Sequence, residues 1–477
     1  MAEAVQLNDQ DGKHSDDSER PEIQEMISKA SKYDFIRVQV ADLSGISRGK
    51  TVTSKFFTEK VAFHGLGMFE GIHAISASSG MHPMEGFGTF ADCVIKVIPS
   101  TFHHVAWGSK MSSRRVASVL GETKWRTRPD QGNPFQEACS RFACRKQVEK
   151  LANMGYKIKA SSEFEFMVTE DDKVTLLKGH NQKDAYCITA QARYDKMLFD
   201  ISDQLSDTGL GINVESIHTE FGPSQFEITL EPRFGMEYAD NAFIFKHAVK
   251  EICQHYGLHA TFISEPFKEF KNSPDCHEWN SLHFNQSLWT IDEKAAFYDP
   301  SKEDKLSNIA KWWIGGICKH ARALTAFMAP TVNCYRRFAT FAFIPKMASW
   351  GIRNRLKMLR VKVDEESSTY MENRVCSGAS NSYLVLACHI AAGIDGILNE
   401  IEPPAQDAKD GVPLPLSLDE SLDALKEDAL ICDALGPELV DWFVTSRKNL
   451  DIKELGNSVH AYDEAYAADR RFYMDVL

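Results

Sequence analysis

No stretch of the sequence stays apolar for the roughly 18 residues that a membrane-spanning helix needs, which excludes a helical membrane protein. Positive charge is also scarce. The 54 Lys and Arg are outnumbered by 67 Asp and Glu, giving a net charge of −13. That balance argues against a surface for nucleic acid or an anionic membrane. The eleven cysteines contain no C-x-x-C pair, and their number is odd. Several sit in apolar surroundings, as Cys388 does in Leu-Val-Leu-Ala-Cys-His-Ile. Reduced, buried thiols in a cytoplasmic protein are expected rather than a disulfide framework. Asp275-Cys276-His277 near His283 matches no usual zinc spacing. A phosphate loop is missing too: Gly45 and Gly49 have three residues between them where that motif needs four. Lys50 therefore reads as a surface charge. There are no internal repeats. The polar, acidic N-terminus resembles neither a signal nor a transit peptide, and residues 1–20 are expected to be disordered.

What is present is an ordinary globular composition, 43% hydrophobic and 25% charged, over 477 residues. That length suffices for two or more domains. A helix over 21–33 leads to a strand over 35–41 and a turn at 42–45. Residues 65–92, rich in Gly, Ser and Met, read as a long loop before a strand at 93–98. Residues 120–134 read as the join between a small β-rich domain and a larger one. A helix at 135–154 closes on Gly155. Strands at 157–168, 212–217, 225–230, 258–263, 281–289, 353–363 and 369–375 then mix with helices at 193–206, 238–256, 305–328 and 381–398. Residues 264–280 read as a polar loop and the last 60 as helices. The strands lack a parallel-sheet rhythm or a glycine fingerprint, so the fold class is α+β.

The chemistry gathers on short strands. Glu163, Phe164, Glu165 and Phe166 alternate acid and aromatic, so a strand turns both carboxylates one way and both rings the other. Two parallel carboxylates repel, and burying them unpaired is costly. A hard cation such as Mg²⁺ or Mn²⁺ between them relieves both problems. Two solvated glutamates on a half-buried strand are the plainer explanation of that stretch alone. Glu220 and Glu227 frame a Gly222-Pro223 turn that can aim both at one point. His283 and Asn285 share a strand face, as do Glu372 and Arg374. Arg336, Arg337, Arg353, Arg355 and Arg360 follow closely in sequence. Glutamates, a histidine and arginines together suit a metal site with anion clamps, because the Arg fork binds two oxygens at once. Phosphoryl transfer, where positioning and charge neutralisation dominate, fits that set.

In their order, these motifs resemble class I glutamine synthetases over about residues 30–477. The matching stretches are Glu163-Phe-Glu165, Glu220-Phe-Gly-Pro-Ser-Gln-Phe-Glu227, Leu282-His283-Phe-Asn-Gln-Ser-Leu-Trp289, Asn333-Cys-Tyr-Arg-Arg337, Arg353-Asn-Arg355 with Arg360, and Glu372-Asn-Arg374. The resemblance implies a small N-terminal β-grasp domain at 21–125. It also implies a catalytic domain at 131–477, with a curved antiparallel sheet and flanking helices. Two metals, Mg or Mn, are implied: one on Glu165, Glu220 and Glu227, the other on Glu163, His283 and Glu372. Arg337 and Arg374 would bind glutamate; Arg355 and Arg360 would stabilise the phosphate transferred from ATP. A homo-oligomer of two stacked rings, a dodecamer, is implied, with Glu70 entering the neighbouring subunit's site.

The departures from that family lie on one side of the site. Phe343 stands where the family has a glutamate that helps deprotonate ammonium, and phenylalanine does no acid–base work. Glu278-Trp-Asn-Ser281 replaces a glycine-bearing loop. Asn285 replaces a second histidine, and Ser367-Ser-Thr-Tyr-Met371 replaces a basic stretch. This combination is similar to the lengsins, glutamine-synthetase-like lens proteins regarded as cytoskeletal or chaperone-like partners of intermediate filaments. The favoured expectation is an oligomeric scaffold without ordinary glutamate–ammonia ligation. The alternative is an active ATP- and Mg-dependent ligase joining glutamate to an amine or ammonia.

Overall fold

The alternation of β-branched and polar residues from Phe35 onward opens an N-terminal sheet whose strands are drawn from the first quarter of the chain. The computed structural model describes residues 20–75, 77, 80, 91–126, 135–178, 184–267, 280–339, 344–456 and 463–477. The proposed N-terminal disorder at 1–19, Asp275-Cys276-His277, Trp279 and Phe343 lie outside the described residues. The fold is α+β. In the first sheet β1 (Phe35–Ala41), β2 (Ser47–Thr53), β3 (Leu66–Phe69), β4 (Asp92–Val97), β5 (His103–His104) and β6 (Val116–Trp125) run in the order β2-β1-β6-β4-β3, with β5 on β6. β1 and β6 pair in parallel; the other pairs are antiparallel. A buried cluster that includes Ile36, Val38, Phe57, Ile95 and Val119 fills its inner face, joined by Ile23 and Met26 from the helix Pro21–Ala30.

The second sheet holds β7 (Tyr156–Glu170), β8 (Val214–Thr219), β9 (Gln225–Leu230), β10 (Arg233–Phe234), β11 (Leu258–Thr261), β12 (Leu282–Thr290), β13 (Trp350–Ile352), β14 (Leu359–Lys362) and β15 (Tyr370–Asn373). Their order is β13-β14-β15-β12-β7-β9-β8, with β10 and β11 also on β7, and every pair except β13/β14 is antiparallel. Helices Gly235–His255, Asn308–Met328 and Ser382–Leu398 pack their apolar faces against it and each other.

Four stretches differ from the sequence expectation. Residues 66–69, within the expected loop, are a strand paired to β4. The expected join at 120–134 begins inside β6, the parallel partner of β1. Within it, Gly121 faces Val97, where an added Cβ would lie 2.7 Å from the Lys96 carbonyl oxygen. Residues 353–363 are not one strand: Arg353 adopts a left-handed φ of 55°, turning the chain between β13 and β14. The helix expected from 135 begins at Ser140, and Phe135 instead bridges Lys124. Gly49 has a packing reason of its own, since an added Cβ would fall 1.9 Å from the Val38 carbonyl oxygen across β1 and β2.

Buried ion pairs tie the first sheet to the helices. Arg141 donates to Glu122 on β6 at 2.8 Å and, through two nitrogens, to Asp240 at 2.9 and 2.8 Å. The Tyr383 hydroxyl donates to the same Asp240 at 2.6 Å. Removing one partner of a buried pair strands the others' charge. Arg141→Met is expected to lower unfolding stability by about 3–5 kcal/mol. Urea unfolding followed by tryptophan fluorescence measures this; a loss below about 1 kcal/mol would show that the network carries little of the joint.

Candidate active and metal-binding site

β7 builds the site by alternation. Phe164 and Phe166 are fully buried, with Phe164 4.7 Å from Phe245 and Phe166 5.6 Å from Phe262 between ring centres. Glu163 and Glu165 consequently leave by the opposite face. Strand register does the rest. Glu163 lies opposite His283 on β12, and Glu165 opposite Glu227 on β9. Glu227 in turn lies opposite His218 on β8. Glu372 on β15 lies opposite Asn285 on β12 and Arg360 on β14. Glu220 follows the end of β8, and a tight turn returns the chain to β9. In that turn the Gln225 N–H donates to the Gly222 carbonyl at 3.1 Å and Ser224 takes a φ of 63°.

These residues line a cavity of about 510 Å³. Glu163 accepts from Asn285 Nδ2 at 2.9 Å and lies 2.9 Å from His283 Nδ1. Burial alone would raise its pKa, but the contact with His283 and then Asn285 holds it at about 2. Glu165 accepts from the Ser281 N–H at 2.8 Å and from Gln225 Nε2 at 3.1 Å. Burial, followed by the Glu220 charge, still raises its pKa. Glu227 is raised further, by burial and then by the charges of Glu165 and Glu163. Glu220 meets His218 Nε2 at 2.9 Å and accepts from the Tyr186 hydroxyl at 3.3 Å and the Phe221 N–H at 3.0 Å.

Two sets, Glu163 with Glu227 and His283, and His218 with Glu220 and Glu227, each offer ligand atoms within 4.8 Å of one another. Their donors are carboxylate oxygens and imidazole nitrogens, without thiolate. That chemistry fits a hard divalent cation such as Mg²⁺ or Mn²⁺.

The cavity also carries cations. Arg355, Arg360, Lys362 and Arg374 line the same cavity. Glu372, fully buried, pairs with Arg360 at 2.8 Å and with Arg374, and lies 3.8 Å from Lys362. Arg360 and Arg374 each keep a buried Nε–H with no hydrogen-bond partner among the described residues. Such donors are costly to leave unanswered. A second cavity of about 280 Å³ adjoins beyond Glu163, lined among others by Asn285, Trp289, Ser368 and Tyr370.

The structure thus brings together Glu163, Glu165, Glu220, Glu227, His283, Glu372, Arg355, Arg360 and Arg374. Arg337 is not among the lining residues; it is fully buried and donates to the carbonyls of Val375 and Cys376. Glu70 is 2% exposed and accepts from the Ala91 N–H at 3.2 Å within its own chain. His218, Tyr186 and Lys362 were not expected at the site. His218 precedes Glu220 by two, and Lys362 follows Arg360 by two, so the spacing rule applied to Glu163 and Glu165 points to both. Tyr186 carries no such signal.

A family model described as glutamine synthetase, catalytic domain, matches residues 137–466. Glutamine synthetase of Thermotoga maritima is 32% identical over 445 residues, covering 89% of this chain and 94% of its own. Human lengsin is 29% identical over 470 residues, covering 93% and 83%. Among solved structures, a GmaS/ADP complex aligns with a TM-score of 0.78 at 25% identity, covering 94% of this chain and 99% of that one.

The raised carboxyls fix a direction for pH dependence. A carboxyl whose pKa is higher folded than unfolded stabilises the fold fully below the ordinary value of about 4.3, and that contribution fades as pH rises through the folded value. Glu227→Gln removes the contribution. Without divalent cations, the variant's stability relative to the unaltered chain is expected to improve from about pH 5 to 9, by roughly 1–3 kcal/mol. Denaturant unfolding across that range measures it. A difference that stays flat or reverses would contradict a repulsive carboxylate pocket.

Proposed function

The chain belongs to the glutamine synthetase family, and from that premise we propose that it is an ATP- and divalent-metal-dependent carbon–nitrogen ligase joining glutamate to an amine or to ammonia. One observation carries the reading. Five crowded carboxylates and the guanidinium groups of Arg355, Arg360 and Arg374 line one and the same cavity. The carboxylates call for a hard cation, and the guanidinium donors call for an anion with several oxygens. A phosphate held by a bound cation and by the arginines would answer both needs.

Glu165, Glu220 and Glu227 would hold one Mg²⁺ or Mn²⁺, and Glu163, His283 and Glu372 the other. When bound there, the ions supply charge neutralisation for phosphate oxygens. Arg355 and Arg360 would meet the phosphoryl group as it passes from ATP to the glutamate side-chain carboxylate. The amine nitrogen then bonds to that carbon and phosphate leaves. Arg374 would hold glutamate. Arg337, bonded to the backbone at 375–376, would set the chain beside Arg374 rather than touch substrate. Trp289 and Tyr370 offer rings for the nucleotide base in the adjoining cavity. The assembly would be a cytoplasmic ring-shaped homo-oligomer, a dodecamer, with 21–125 as its small β-grasp domain and 131–477 as its catalytic domain.

A second reading is a lengsin-like scaffold without ligation, with intermediate-filament proteins as partners. It is favoured by Glu372, whose charge Arg360 and Arg374 already neutralise, and by Asn285 in place of histidine.

Incubation with glutamate, Mg²⁺, ATP and hydroxylamine separates the two. The ligase forms γ-glutamyl hydroxamate and ADP, and Glu372→Ala lowers the rate by about 100-fold or more, since a metal ligand is lost. An assembled protein that yields neither product would refute the ligase and leave the scaffold.

A further inference from the structure

We propose that the cavity mouth selects an amine carrying an apolar or aromatic group, seated in a corner formed by Tyr186 and Phe221; this rests on the ligase reading above. Both residues line the cavity, yet they are 57% and 53% exposed. Their rings stand 6.1 Å apart at 85°, forming two walls of a corner, and Ile344 lines the same cavity.

The corner is built, not incidental. Tyr186 holds a φ of 56°, a conformation that a bulky side chain adopts only under constraint. Its N–H donates to the Thr219 carbonyl at 2.9 Å, and its ring stacks on His218 at 4.6 Å and 16°. Its hydroxyl donates to Glu220 at 3.3 Å. Phe221 is anchored by its own N–H, which donates to the other Glu220 oxygen at 3.0 Å. The stacked Tyr186 ring and the Phe221 ring that meets it edge-on therefore flank a carboxylate at the entrance to the acidic cavity.

That arrangement suits a molecule with a cationic head and an apolar body. The head is drawn by the carboxylates and by the ring faces. The body covers ring surface that ammonium alone would leave wet. An anionic acceptor is repelled. The exposed rings thus favour a substituted primary amine over ammonia as the nucleophile.

Calorimetric titration of the full chain with benzylamine, in Mg²⁺ and without ATP, tests the corner apart from turnover. Benzylamine is expected to bind at least about tenfold more tightly than ammonium, equivalent to about 1.4 kcal/mol. Phe221→Ala is expected to erase that advantage, and Phe221→Leu to restore part of it. Benzylamine binding no tighter than ammonium, or equal in Phe221→Ala, overturns the corner. Hydroxamate formation, measured in parallel, keeps the two claims apart. Hydroxamate without benzylamine binding sinks the corner and leaves the ligase. Benzylamine binding without hydroxamate sinks the ligase and leaves an amine site. Light scattering completes the set: a particle mass that falls in Phe221→Ala while benzylamine binding is unchanged makes the corner a contact between copies and overturns the proposal.

Discussion

Five carboxylates, those of Glu163, Glu165, Glu220, Glu227 and Glu372, open onto one cavity, and strand pairing stops four of them from moving apart. Glu163 cannot leave His283, nor Glu165 leave Glu227, without breaking the register of β7 against β12 and β9. The aromatic residues between them reinforce that constraint, because Phe164 and Phe166 are sunk into the core on the reverse face. The fold therefore supplies the energy that holds like charges together. A site of this kind costs stability locally and is retained where something positive is meant to enter.

In the structure the protein supplies partners of its own. His283 lies against Glu163, His218 against Glu220 and Glu227, and Arg360 with Arg374 pairs with Glu372. The compensation is uneven. Glu372 meets two guanidinium groups, whereas among the described residues Glu227 has only His218, at 3.5 Å, and carries a strongly raised pKa. Demand for an added cation is thus greatest on the Glu165–Glu227 side. Arg360 and Arg374 have a complementary deficit, each with a buried Nε–H that lacks a partner among the described residues. In the proposed ligase, a divalent ion together with phosphate would answer both sets of charges.

Much of this was legible in the sequence because β-structure writes its faces with a period of two. The stretch 163–166 announces its own sidedness, and the α+β class followed from the absence of a parallel rhythm. The same rule, applied to Ser216-Ile-His218-Thr-Glu220 and Arg360-Val-Lys362, reaches His218 and Lys362. What the sequence hides is register and closeness of approach. Residues 120–134 read as a join, yet 120–125 continue β6, where a Cβ on Gly121 would lie 2.7 Å from the Lys96 carbonyl oxygen. Arg353 reads as strand yet turns left-handed. Arg337 belongs by sequence with the substrate arginines, but it points at backbone carbonyls. Phe343 and Trp279, which tilt the sequence toward a scaffold, are weighed against a wall of charges that only the folded sheet assembles.

The central claim is that this cavity exists to take a divalent cation, and proton counting tests it most directly. Mn²⁺ is titrated into the full chain at about pH 7 in two buffers of different ionisation enthalpy. A raised carboxyl must give up its proton to become a ligand. The account predicts saturable binding with net proton release, and loss of that release in Glu227→Gln. Binding that releases no protons, or no binding at millimolar Mn²⁺, would contradict it.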